Sequence, residues 1–275
     1  MTRWGWASAA TPLCPIPEGP GILPTSAISE RNGHQHAMPQ PNVTPGTPVL
    51  DENFKHIAFI MDGNGRWAKK RGMPREYGHK VGSSNFKKIC LYCCDIGFQA
   101  VTVYAFSTEN WKRPKHEVSA IMNILDNYLD ELKRDYKKYH NRFRFIGDLS
   151  VLTPALQEKI AYVETLNSDQ PQVLNIALNY GGRGELVHAF RTLAAEGKTD
   201  ITEDDISRTL YTAACGDPDM IVRTGGDIRI SNFLLWQAAY AELYFTDTLW
   251  PDFSPADVDE CIRVFYSRRR RFGGL

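Results

Sequence analysis

The sequence predicts an α/β fold built on a mainly parallel six-stranded sheet flanked by helices. Six short runs rich in β-branched and aromatic residues, at 57–61, 100–106, 142–146, 173–179, 220–223 and 242–245, are spread along the chain, and amphipathic segments of helical period lie between them. Strands separated by helices of that length need crossover connections, which make neighbouring strands parallel and put helices on both faces. Composition bounds the class. A chain of 275 residues, 43% hydrophobic and 23% charged, can bury a sizeable core and is neither collagen, coiled coil nor wholly disordered.

Residues 1–50 hold nine of the sixteen prolines and only four charged side chains, Arg3, Glu18, Glu30 and Arg31. They show no helical or strand period and read as a disordered Pro-rich extension. The extension has neither the basic start and apolar run of a secretory signal nor the Arg and Ser richness of a transit peptide. Residues 51–275 are compatible with one domain. After the first strand, Phe86, Ile89, Cys90, Cys93 and Cys94 recur at the spacing of one buried helix face. The thiols read as core, because Cys90 and Cys93 have no second ligand pair nearby for a metal. Between the second and third strands the clearest helix spans 117–139, where Val118, Ile121, Met122, Leu125, Leu129, Leu132, Tyr136 and Tyr139 form one stripe among charged residues. The remaining strands follow, with an apolar helix expected after Asn232. In the last segment Cys261 falls into line with Val258, Ile262 and Phe265. Six cysteines in so long a chain make no disulfide scaffold, and a reducing, cytoplasmic setting is expected.

Lys+Arg and Asp+Glu balance at 32 each. No overall field attracts a polyanion, so nucleic acid is not an expected partner and any anion site must be local. The terminal run 268–271 lacks the interleaved aromatics that stack on bases. No stretch approaches the roughly 20 uninterrupted apolar residues that cross a bilayer; membrane contact, if any, is peripheral.

In sheets of this kind ligands sit at the carboxyl ends of the strands, and three strand ends are dense in polar residues. The first reads Asp62-Gly63-Asn64-Gly65-Arg66-Trp67. Two glycines admit a ligand close to the backbone, and a helix start beyond them presents free amides to an anion, although a glycine turn with an Asp cap would look the same. Asp62 beside phosphate implies an intervening Mg²⁺. Arg75 and His79 follow one helical turn apart and could reach the same diphosphate. The second strand end is Ser107-Thr108-Glu109-Asn110-Trp111-Lys112-Arg113-Pro114, which also suits a helix entry. The third, Arg223-Thr224-Gly225-Gly226-Asp227-Ile228-Arg229-Ile230-Ser231-Asn232, places two arginines and a serine around a Gly-Gly turn and fits a second diphosphate.

These segments resemble the cis-prenyltransferases, also called undecaprenyl or polyprenyl diphosphate synthases. The resemblance runs over nearly all of 54–275 and is carried by HIAFIMDGNGRWAKKRG from His56, YGHKVG from Tyr77, YAFSTENWKRP from Tyr104, NYGGR from Asn179, RTGGDIRISNFLLWQ from Arg223 and AELYFTDTLWPDF from Ala241. It implies the cis-prenyltransferase fold and a condensation of isopentenyl diphosphate with an allylic diphosphate such as farnesyl diphosphate, leaving a cis double bond. By resemblance, Asp62 and Glu242 are the metal-linked carboxylates for Mg²⁺. Gly63, Gly65, Arg66, Trp67, Arg75 and His79 go to the allylic diphosphate, with Asn64 beside them. Arg223, Arg229 and Ser231 go to isopentenyl diphosphate. Ser107, Glu109, Asn110, Trp111 and Arg113 form a loop over the substrates. Asn64 and Ser107 are candidates to relay the proton released on condensation. The terminal Arg271 and Gly273 resemble a motif that reaches a neighbouring subunit, which implies a homodimer. The hydrocarbon is expected in a groove between the sheet and helix 117–139, with Ala105, Ile121, Ile124 and Leu125 as wall residues. Two other readings stay open: a noncatalytic activating subunit of a prenyltransferase complex, and a short-chain or branched-product member of the family.

Overall fold

A computed structural model describes residues 49–268. Most of the expected extension, 1–48, lies outside the described residues, as do Arg271 and Gly273. Six strands form one sheet, all parallel: β1 (His56–Ile60), β2 (Ala100–Ser107), β3 (Asn141–Ile146), β4 (Gln172–Tyr180), β5 (Met220–Arg223) and β6 (Glu242–Phe245), in the spatial order β3-β4-β2-β1-β5-β6. Seven helices connect and cover them among the described residues: α1 (Asn64–Lys70), α2 (Arg75–Asp95), α3 (Lys115–Asp135), α4 (Pro154–Thr165), α5 (Gly182–Ala195), α6 (Glu203–Thr209) and α7 (Pro255–Ser267). None of these is long and apolar enough to cross a membrane.

The pleat divides the strands between two cores. Ile57 and Phe59 of β1, Val101 and Val103 of β2 and Met220 and Val222 of β5 face the larger core, which α2, α3, α4 and α7 cover. Ala58, Ile60, Ile221 and Ala177 face a smaller one with Phe233 and Leu234. This alternation with both faces buried is why the strands read as continuous apolar runs. The thiols of Cys90, Cys93, Cys94 and Cys261 are buried, as the helical spacing predicts.

Two elements differ from expectation. Helix α3 stops at Asp135 and a 3₁₀ turn covers 136–138, so Tyr139 packs on Phe143 from outside the helix. The apolar segment after Asn232 is turns and a short 3₁₀ stretch, 237–240, rather than an α-helix. Ser231, Asn232 and Leu234 all take left-handed backbone angles, at φ of 49°, 64° and 45°, which no right-handed helix accommodates.

A polar row crosses the interior near the amino ends of the strands. His56 is fully buried, with Nδ1 3.1 Å from the carbonyl of Gly216 and Nε2 2.7 Å from the Thr102 hydroxyl. A carbonyl only accepts, so Nδ1 carries the proton and the neutral ring accepts from Thr102 through Nε2. Asn175 donates to the same hydroxyl oxygen at 2.9 Å. Burial pushes the His56 imidazole down to about 4, against the weaker upward pull of the Gly216 carbonyl and Asp219. The unfolded chain therefore binds more protons here between about pH 6.5 and 4, so His56 contributes stability above that window and loses it as the pH falls through it. Unfolding free energy from urea titration should drop by about 2 kcal/mol on this account between roughly pH 7.5 and 5. A His56→Gln variant, less stable at neutral pH, should show a pH dependence shallower by that amount; equal slopes for the two proteins would contradict the assignment.

Candidate active site

Because all six strands run the same way, the loops that leave their carboxyl ends share one edge of the sheet. There they surround a cavity of about 1000 Å³. Its mouth is polar and its floor apolar, and each half is organised around one buried charge.

On the β1–β5 side the hub is Arg223, whose side chain is 5% exposed. One terminal nitrogen donates to Asp62 Oδ2 at 2.8 Å and Asp227 Oδ2 at 3.3 Å. The other donates to the Ser231 hydroxyl oxygen at 2.7 Å and the Arg229 carbonyl. Asp62 is fixed in turn: its carbonyl accepts from Thr224 Oγ1 at 2.7 Å and from the Trp250 amide at 3.0 Å, and its carboxylate accepts from the Gly63 amide at 2.6 Å. Partial burial pulls the Asp62 carboxyl up, but the hydrogen bond and charge of Arg223, with Arg66 at 3.2 Å, hold it below the ordinary carboxylate value. Asp62 is therefore ionised at neutral pH. Arg229 reaches Asp227 at 2.7 Å and is otherwise exposed. One glycine is required by its backbone: at Gly225, φ is +88°. At Gly65 the Arg75 guanidinium packs where a Cβ would stand, 2.6 Å away.

On the α2–α3 side the hub is a carboxylate. Glu117, its side chain 3% exposed, accepts from Arg75 Nε at 3.1 Å, His79 Nε2 at 3.0 Å and Arg113 Nη1 at 3.1 Å. Burial alone would raise its pKa; His79, Arg75 and the Arg113 charge overcome that and lower it. His79 is lowered as well, chiefly by its own burial, so the ring is neutral at pH 7 and its one N–H points at Glu117. Arg75 and His79 thus converge as their helical spacing predicts, but His79 holds the carboxylate rather than offering a donor to a ligand. Glu117 and Asp227 were not among the sequence candidates. The signal for Glu117 was its position four residues after Arg113, the spacing of an ion pair on one helix face.

The lid turn over the mouth spans 108–112. Ser107, Glu109, Asn110 and Arg113 line the cavity beside Gly63, Asn64, Gly65 and Arg66. A register irregularity between β2 and β4 at 104–107 re-aims the strand end there. The Asn64 amide donates to the Met61 carbonyl at 3.2 Å, while its Oδ1 is buried against Gly82 with no partner. Below the mouth the walls are Phe86, Ala105, Ile121, Ile124, Leu125 and Tyr128 with Ile176 and Leu178, so the four expected wall residues all face the cavity.

Three sequence assignments are corrected. Trp67 does not line the cavity: it is buried with Ala68 and Leu249, donates to Asp252 at 2.6 Å and carries the Arg71 guanidinium on its ring. Trp111 packs edge-on to Phe106 and donates to Asn179 at 2.8 Å, so it pins the lid turn to β4 and does not line the cavity. Glu242 is not brought to Asp62 within the chain. Its register partner in β5 is Met220, which pairs with Ile57 in β1, five residues before Asp62. That is roughly 16 Å along the strand direction at about 3.3 Å per residue, and Glu242 pairs with Arg268 at 2.7 Å instead. Among the described residues no three His, Cys, Asp or Glu side chains gather at a point where they could hold a metal ion.

The chain matches the family model described as putative undecaprenyl diphosphate synthase over residues 60–273. It is 48% identical over 229 residues to an isoprenyl transferase of Fusobacterium nucleatum, covering 82% of this chain and 99% of that one. An isoprenyl transferase of Chromobacterium violaceum is 44% identical over 247 residues, 88% of this chain and 93% of the other. Among solved structures, lavandulyl diphosphate synthase from Lavandula x intermedia in complex with dimethylallyl diphosphate superposes with a TM-score of 0.76 at 36% identity, covering 82% of this chain and all of that one. A probable undecaprenyl diphosphate synthase from Campylobacter jejuni gives a TM-score of 0.69 at 35% identity with the same coverage. With the six-stranded parallel fold, the two charge hubs and the apolar chamber beneath them, these matches place the chain among the prenyl transferases, and it belongs to the cis-prenyltransferase family.

Proposed function

We propose that this prenyl transferase is a Mg²⁺-dependent cis-polyprenyl diphosphate synthase, condensing isopentenyl diphosphate with an allylic diphosphate such as farnesyl diphosphate and forming a cis double bond. One observation carries the reading: two separate cationic clusters open into one cavity whose depth is apolar. Two diphosphates and a hydrocarbon tail are the ligands such a cavity matches.

Arg75 and Arg113, held in place by Glu117, supply charge for the allylic diphosphate beside Gly63, Gly65 and Arg66. Arg223, Arg229 and Ser231 supply it for isopentenyl diphosphate. Asp62 fits Mg²⁺. It is an ionised, partly exposed carboxylate in the cavity, and one carboxylate with phosphate oxygens and water is a donor set this ion accepts. When bound, the ion would neutralise charge developing on the departing diphosphate. The protein's own share is to hold the two substrates in register and to set fixed positive charge at both headgroups. Ser107 stands at the mouth as a proton relay. Asn64 would join it only with its amide turned away from Gly82.

A homodimer and a cytoplasmic location with peripheral membrane contact belong to the same proposal. The sheet ends at β6, an edge strand with Leu243 and the preceding Tyr240 exposed beside it, and an open sheet edge is where a second copy can dock. The lavandulyl neighbour supports a second reading, branched condensation, which the mass and fragmentation of the product decide.

Purified protein given farnesyl and isopentenyl diphosphates with Mg²⁺ should yield longer prenyl diphosphates, and a chelator should stop it. Asp62→Asn should lower turnover about a hundredfold or more; it also removes a charge partner of Arg223, so the thermal midpoint should fall by about a few degrees with the fold kept. Retained turnover in that variant, or no extension of any allylic primer by the wild type, would falsify the proposal. Glu117→Ala should raise KM for the allylic primer about tenfold while leaving KM for isopentenyl diphosphate within about threefold, since the charge lost is paired to one cluster only. A matching rise in both constants would contradict the separation of the two sites.

A further inference from the structure

The arm that carries Arg229 and Ser231 turns back at two successive left-handed residues, Ser231 and Asn232. Asn232 meets two other segments there. Its carbonyl accepts from the Gly182 amide at 2.7 Å, and its Oδ1 accepts from the Arg183 amide at 2.9 Å. It therefore caps the first turn of α5 from another part of the chain, where the local cap residue, Gly181, has no side chain to do so. Its Nδ2 donates to Glu109 Oε1 of the lid turn at 3.1 Å. The packing is close: a Cβ on Gly181 would stand 2.6 Å from Nδ2 of Asn232 and 3.0 Å from the Thr108 hydroxyl oxygen.

Glu109 faces the cavity, yet a carboxylate there would repel a diphosphate. Within its own turn it is held by its backbone amide and by the Ser107 and Thr108 side chains, and its partner from outside the turn is the Asn232 amide. We propose that Asn232 is a positioning residue that latches the lid turn, through Glu109, to the arm bearing Arg229 and Ser231, and so sets the spacing of the donors offered to isopentenyl diphosphate. The inference rests on the isopentenyl diphosphate reading of that arm. It reassigns Glu109 from a substrate ligand to the acceptor half of the latch.

The test exchanges donor and acceptor, in steady-state kinetics on the full chain with an allylic primer, isopentenyl diphosphate and Mg²⁺. Asn232→Asp keeps the oxygen that caps α5 and tolerates the left-handed backbone, but sets a carboxylate against Glu109. It should raise KM for isopentenyl diphosphate about tenfold, with kcat within about threefold. Glu109→Gln alone keeps an oxygen facing Asn232 and removes a charge that opposes a diphosphate, so its KM for isopentenyl diphosphate should not rise. Adding Glu109→Gln to Asn232→Asp restores a donor opposite an acceptor and should return KM to within about threefold of wild type. Wild-type KM in Asn232→Asp, a large loss in Glu109→Gln alone, or a double variant no better than Asn232→Asp would each overturn the latch. A wild type that consumes no isopentenyl diphosphate would instead remove the reading on which it stands.

Discussion

A guanidinium taken out of water at the end of β5 needs partners, and the loops of the site are arranged to supply them to both of its terminal nitrogens. Arg223 draws Asp62 from β1, Asp227 from its own turn, and the Ser231 hydroxyl and Arg229 carbonyl from the returning arm. An unpartnered buried charge costs several kcal/mol, so these contacts are not independent ornaments of a loop. Losing one leaves the others to satisfy the same cation. The Nε of Arg223 is buried with no partner among the described residues, which places the network near the limit of what the protein alone supplies.

The opposite wall uses the same logic with the signs exchanged. There the buried hub is an anion, Glu117, and Arg75, His79 and Arg113 come to it from α2 and from the turn before α3. A carboxylate at the centre allows two arginines to approach one another without the repulsion they would otherwise suffer. Counting Arg75 and Arg113 against Glu117, with His79 neutral, leaves one net positive charge at the cavity wall. The neutral total charge of the chain thus coexists with local positive potential where an anion would sit.

How much of this was legible in the sequence depended on whether the property is local. Strands were: β1 and β5 are apolar runs buried on both faces, β3 alternates around Phe143 and Phe145, and even the partly exposed β6 falls at the expected residues. The cysteines were, because their spacing is that of one helix face. Direction was not. Trp67 lies in the same short motif as Asp62 and Arg66, but a helix turns its side chains about 100° per residue, so motif membership put Trp67 on the wrong side, against Leu249 and Asp252. The fate of Glu242 depended on register, which motif order cannot express: a residue opening a parallel strand stands at the far edge from one that follows another strand's end. The non-helical path after Asn232 was hidden because its residues are apolar enough for a helix, and what forbids it is the left-handed backbone at Ser231, Asn232 and Leu234.

The cavity changes character with depth for a reason that also lies in the sheet. Strand ends lose their ladder partners, so Asp62, Asn110 and Thr224, just past them, satisfy backbone groups with side chains and keep polar atoms at the mouth. One turn lower on α3 and four residues back from the end of β4 the ladder is complete, the backbone needs nothing, and Leu125, Tyr128 and Ile176 form the wall. A polar rim over an apolar floor is therefore what a parallel sheet produces wherever its carboxyl edge is left open beside an amphipathic helix. What this chain adds is the pair of buried hubs, which fix two positive clusters at separate points of the rim. An amphiphile with one anionic head would need only one of them. The second makes the cavity a site for two anionic headgroups at once, and on the proposed reaction that simultaneous hold is what brings the two carbon chains within bonding reach.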